Sequence, residues 1–167
     1  MLLHLFALLT AASTAVLIFA GGLVTSTGSG LSVPDWPNSY GWFMFTFPLE
    51  NWVGGIFYEH SHRLIASTVG FLTIILAVWL QRAEKRSWMR KLGWTAVGAV
   101  IAQGLLGGMT VLMLQPPAVS IAHACLAQLF FSTTVAMLSP VGRVLRDPPF
   151  LPGLDGPGLR ASRGCDK

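Results

Sequence analysis

The chain has 167 residues, of which 53% are hydrophobic and only 11% charged, whereas a soluble domain carries about 25% charged residues. Its net charge of +4 would suit nucleic acid only if the cations formed a surface patch, and they lie instead between long apolar runs. Nucleic acid is therefore excluded as a partner, and membrane lipid is the expected surroundings.

Crossing about 30 Å of hydrocarbon takes roughly 20 mainly apolar helical residues. The first such segment is predicted over 3–24. A cleaved signal peptide is the weaker reading of it, because no cationic stretch precedes the apolar run and the run exceeds the usual ~7 to 15 residues. Next comes TSTGSGLSVPDWPNSYGWFMFTFPLENWV, Thr25 to Val53, whose glycines and prolines forbid a continuous helix. Its Trp36, Tyr40, Trp42 and Trp52 suit anchoring at headgroup depth. A loop this long is more often functional than idle.

The second span is predicted over 57–80 and the third over 93–114. Gly104, Gly107 and Gly108 give the third a small-residue face for close helix packing. Pro116 and Pro117 make a tight turn, so that a fourth span over 119–139 returns antiparallel. Beyond it the sequence becomes rich in proline and glycine. The expected organisation is thus an all-α four-helix transmembrane bundle over 1–142 with a disordered tail over 143–167. Cys125 and Cys165 are expected to stay reduced.

Five cations (Arg82, Lys85, Arg86, Arg90, Lys91) lie between spans two and three, five more follow span four, and residues 25–56 hold none. Positive-inside bias then places 25–56 outside and both termini in the cytoplasm, in a multi-pass protein of a bacterial or archaeal cell membrane.

Ionisable groups inside membrane helices are costly and mark candidate sites. Glu59, His60, His62 and Arg63 lie on the second span and His123 on the fourth. At ~100° per residue, Glu59, His62 and Arg63 share a face, and His60 points away from His62. Helices two and four both run inward and stand diagonally across the bundle. Rise per residue therefore sets His62 and His123 at one depth, roughly 6 to 8 Å below the outer ends.

Two such histidines suit a planar metal macrocycle, as in bis-histidine haem ligation. A structural zinc site wants four N or S ligands and fits less well. The plainer alternative is a pair of polar residues hydrogen-bonded between helices. Glu59 and Arg63 similarly admit either an i,i+4 ion pair or a working carboxylate, with Arg63 alternatively binding a haem propionate. His4, at the start of the first helix, has no such partner.

GGLVTSTGSGLSVPDWP (Gly21 to Pro37), EHSHR (Glu59 to Arg63), QGLLGGMTV (Gln103 to Val111) and His123 together resemble the haem A synthase family. The resemblance implies oxidation of the C8 methyl group of haem O to the formyl group of haem A, for terminal oxidases. By the same likeness Glu59 matches the catalytic glutamate, and His62 and His123 match the iron ligands of the substrate-haem half. Haem O synthase and terminal oxidase assembly are the implied pathway neighbours.

Members of that family carry two four-helix halves, one for substrate and one for a haem B cofactor, and this sequence has one. It would pair with itself or with another four-helix half, or be an inactive truncated half. Its loop also lacks the cysteine pair of some members and has Ser26 where many have arginine, leaving the backbone amides of Gly28 to Gly30 as anion donors. The alternatives to the enzyme are a bis-histidine b-type cytochrome and an assembly partner without haem.

Overall fold

The computed structural model describes residues 2–146, with side chains as far as Leu138. It consists of α1 (Leu2–Ser26), α2 (Gly55–Ala83), α3 (Ser87–Leu112) and α4 (Pro117–Arg146). Only an isolated bridge between Ser39 and Trp42 breaks the all-helical pattern among the described residues. All four helices are long and apolar enough to cross a membrane, so the chain is a multi-pass membrane protein.

The expected helices are all present, with α3 starting at Ser87 rather than 93. Glu84 explains the early restart. Its carboxylate accepts the backbone N–H of Arg86 at 3.1 Å and the Arg86 guanidinium at 2.9 and 2.7 Å, which closes the α2–α3 turn. Helix α4 runs to Arg146, past the boundary at 142 expected from composition. Residues 147–167, where the tail was expected, lie outside the described residues.

The helices pack in a ring, α1 on α2, α2 on α3, α3 on α4 and α4 back on α1, leaving α2 and α4 as diagonal partners. The closely packed core is Ala7, Val69, Leu76, Leu80, Met89, Ala96, Phe130 and Met137. Most of these residues lie toward the α2–α3 turn. There Gly93 lets α3 approach α2 closely, since a Cβ at Gly93 would come within 3.4 Å of the Ala77 Cα. Buried Thr10, Thr14 and Thr73 satisfy their hydroxyls on carbonyls one turn earlier at 2.7 to 2.9 Å.

At the opposite end, α1 and α3 terminate alike. Ser29 N–H donates to the Val24 carbonyl at 2.9 Å and Gly28 N–H to Thr25 at 3.2 Å, with Gly28 at φ +65°. This is a Schellman motif. Gln115 N–H reaches the Thr110 carbonyl at 2.6 Å and Leu114 N–H the Val111 carbonyl at 3.1 Å, with Leu114 taking the left-handed position at φ 59°. Pro117 then opens α4, where its missing N–H costs nothing.

Candidate functional site

The 27–54 loop is fastened onto the bundle by α2. Arg63, four residues after Glu59, faces the loop at the first turns of that helix. Its Nη1 donates to the carbonyls of Asp35 at 2.7 Å and Asn38 at 3.0 Å, and its Nη2 to Val33 at 2.9 Å and to Glu59 Oε1 at 2.7 Å. Glu59 Oε2 accepts the Val33 N–H at 2.8 Å. All four terminal N–H groups of Arg63 are thereby used, and only Nε–H remains.

Asp35 shapes the same loop through its carboxylate, which accepts the N–H groups of Tyr40 at 2.7 Å and Gly41 at 2.8 Å. Partial burial opposes its charge, but those two donors, with Arg63 nearby, hold the carboxyl below its ordinary value. Tyr40 donates its hydroxyl to the Ser32 carbonyl at 2.6 Å. The indole of Trp36 lies against Gly108 of α3, where an added Cβ would fall 2.6 Å from the ring. The loop therefore bridges both helical hairpins. Trp42 is exposed and retains the character of an interfacial ring.

His60 is completely buried, beneath the loop rather than in the bundle. Its Nδ1 shares a 3.0 Å hydrogen bond with Ser39 Oγ, and its ring packs between Phe47 and Trp52 at centroid distances of 5.0 and 4.7 Å. Helical phase gives its direction away from His62, but only the folded loop supplies its cover. The same cover buries Ser39.

His62 and His123 come from the diagonal helices α2 and α4. Each ring rests on a glycine of the neighbouring helix. A Cβ at Gly21 of α1 would lie 3.0 Å from His62 Cε1, and one at Gly107 of α3 would lie 3.3 Å from His123 Cε1. The Nδ1 atoms of both rings are buried without a hydrogen-bond partner, as is Gln103 Oε1 one turn from Gly107. Unpartnered polar atoms at membrane depth are costly and point to a missing ligand.

Of the residues singled out from sequence, Glu59 and Arg63 form one cluster with the loop, and His62 and His123 another inside the bundle. No hydrogen bond joins Glu59 to either histidine. Among the described residues no three His, Cys, Asp or Glu side chains gather, so the histidine pair has no further donors for a closed four-ligand zinc site. Sequence reasoning missed Val33, Asp35 and Gly21. The spacing of a glycine pair near the end of both α1 and α3 was the available signal.

Residues 44–146 match the family described as cytochrome oxidase assembly protein. The chain belongs to this family. Proteins named Heme A synthase align with most of its length. That of Alkalihalophilus pseudofirmus is 31% identical over 81% of this chain and 45% of its own. Those of Halalkalibacterium halodurans and a Methylobacterium strain are each 32% identical, over 81% and 80% of this chain and 45% and 40% of their own. The chain thus spans less than half the length of these relatives. No solved structure matches it. The family match covers Glu59, His62, Arg63 and His123, whereas Gly21 and the loop residues Val33, Asp35 and Asn38 precede it.

Proposed function

We propose that the chain acts as a haem A synthase-type membrane oxidoreductase, binding haem O between α2 and α4 and oxidising its C8 methyl to a formyl group. The observation that carries this reading is the pair of diagonal imidazoles, each with a buried Nδ1 that has no partner. A neutral imidazole in that state offers a lone pair, and two of them across a bundle are the donor set of a six-coordinate haem. His62 and His123 would hold the iron and thereby fix the porphyrin edge relative to the loop.

In this reading Glu59 is the catalytic carboxylate, receiving a proton from the reacting methyl carbon or stabilising positive charge there. The conversion replaces two of the methyl hydrogens by one oxygen, so that with water as the oxygen source it releases four protons and four electrons, the electrons leaving to an acceptor that these residues do not supply. Arg63 contributes by holding Glu59 and the loop together, with only its Nε–H left for a propionate. The loop faces outward and the α2–α3 turn the cytoplasm, in the cell membrane, and a second four-helix half or second copy supplies any haem B. Haem O synthase and the terminal oxidase would stand before and after this step.

A second reading, electron transfer by a bis-histidine cytochrome, is favoured by one feature, the engagement of both Glu59 oxygens by Arg63 and Val33. Haem extracted from protein purified out of cells that make haem O separates the two. Haem O together with haem A supports the oxidoreductase, and haem B alone supports the cytochrome. Protein without haem would overturn both.

A further inference from the structure

Helices α1 and α3 repeat one arrangement. Gly21 stands seven residues before Gly28, and Gly107 seven before Leu114, the residues that take the left-handed position ending each helix. Each of these glycines carries the imidazole of the following helix, His62 on Gly21 and His123 on Gly107, at 3.0 and 3.3 Å from where a Cβ would be.

A helix surface normally hides its carbonyls behind the side chain one turn later. Glycine removes that obstruction. An imidazole lying on Gly21 or Gly107 settles onto the helix backbone itself, and a methyl group at either position would meet the ring Cε1 at 3.0 or 3.3 Å. That seat sets the position and plane of each ring, and the Nδ1 of each is buried there without a partner.

We infer that Gly21 and Gly107 are positioning residues that set the place and plane of His62 and His123 by letting each ring lie directly on the helix backbone, an inference whose functional meaning rests on the haem reading above. Close packing of helices alone does not account for the pattern. Gly22 and Gly104, on the same two helices, meet nothing within 4 Å at their Cβ positions.

The test compares Gly21→Ala and Gly107→Ala with the control substitutions Gly22→Ala and Gly104→Ala in the full chain. Nitrogen chemical shifts of ¹⁵N-histidine, recorded without added haem, report the surroundings of each ring directly. Gly21→Ala is expected to change the signals of His62 alone, and Gly107→Ala those of His123 alone, while the controls leave all four histidines as in the parent. In protein supplied with haem, the same two variants should shift the low-spin electron paramagnetic resonance spectrum and weaken haem retention about 10- to 100-fold.

Unchanged histidine signals in both variants would overturn the inference. So would changes that extend to His4 and His60 in both, since those signify a general loss of packing. Glycine-dependent histidine signals in a parent chain that never binds haem would uphold the positioning role and sink the haem reading instead.

Discussion

Glu59 Oε2 accepts the backbone N–H of Val33 at 2.8 Å, across 26 residues of sequence. The carboxylate expected from sequence to work beside a haem therefore also holds the loop. Glutamine at this position keeps one acceptor oxygen and loses the other along with the charge. For Glu59→Gln we expect haem to remain bound and formation of the formyl product to fall about 10² to 10⁴-fold. A helix-end ion pair alone would cost only about 0.2 to 0.5 kcal/mol and leave turnover intact. Chromatography of haems from cells that supply haem O and lack other haem A synthases makes the measurement, and parent-like haem A in the variant would refute the catalytic role.

Removing the Arg63 guanidinium should release the loop. Arg63→Met strands three loop carbonyls and leaves Glu59 buried without its cation, a loss on the order of 3 to 5 kcal/mol. Val33, whose exposure is 0%, reports the result. A cysteine there is expected to resist maleimide in the parent and react in the Arg63→Met background, and equal protection in both would show that other contacts suffice. Arg63→Lys should give partial release, because a lysine point charge cannot reproduce the fork of donors.

The three histidines of the candidate region should separate into two classes. His62→Ala and His123→Ala are expected to abolish the low-spin haem spectrum, each alone, because six-coordination needs both. His60→Ala should retain the spectrum and loosen the loop, since its ring fills the space between Phe47 and Trp52. Normal spectra in both of the first two variants, or loss only in the third, would reverse the assignment.

Acid should weaken both carboxylate staples. Asp35 and Glu84 have folded-state values below their ordinary ones, Glu84 at about 2 because Arg86 hydrogen-bonds its charged form. A depressed carboxylate contributes its full stability above its unfolded value and loses it as pH falls through the folded value. For Glu84 that window runs from 4.5 down to about 2. Labelling of the Val33 cysteine by a dipyridyl disulfide, which protonation activates toward thiols in acid, is expected to rise relative to a free thiol as pH falls through the lowered range of Asp35. Asp35→Asn should flatten that rise, and an identical acid profile in this variant would exclude Asp35 as its source.

Orientation is testable by impermeant thiol reagents. Leu49 in the loop is 77% exposed and Lys85 is exposed at the other end. With the exposed Cys125 and Cys165 replaced, a cysteine at Leu49 should react in intact cells and one at Lys85 only after permeabilisation. The opposite result would invert the topology argued from Arg82, Lys85, Arg86, Arg90 and Lys91.

Much of this architecture is legible in the sequence because lipid forces every backbone polar group to be satisfied locally. The four apolar runs could form only helices, and Pro116 with Pro117 allowed only a short connection. The phase of His60 against His62 was equally readable, since it depends on residue spacing within one helix. What was not readable is the destination of the loop. Sequence spacing shows Glu59 and Arg63 as neighbours, but nothing local indicates that Arg63 would hold the carbonyls of Val33, Asp35 and Asn38. Those contacts depend on where an irregular chain returns. The role of Gly21 was hidden for the same reason, because its partner ring belongs to another helix.

The Arg63 contacts also impose an order on biogenesis. Val33, Asp35 and Asn38 leave the ribosome before Arg63 does, so the loop emerges with three carbonyls whose partner has not yet emerged. Water must serve them until α2 is threaded and coiled. The loop can assume its final shape only after the second helix has entered the bilayer, and a chain halted before Arg63 would present that segment open to proteases and to thiol reagents.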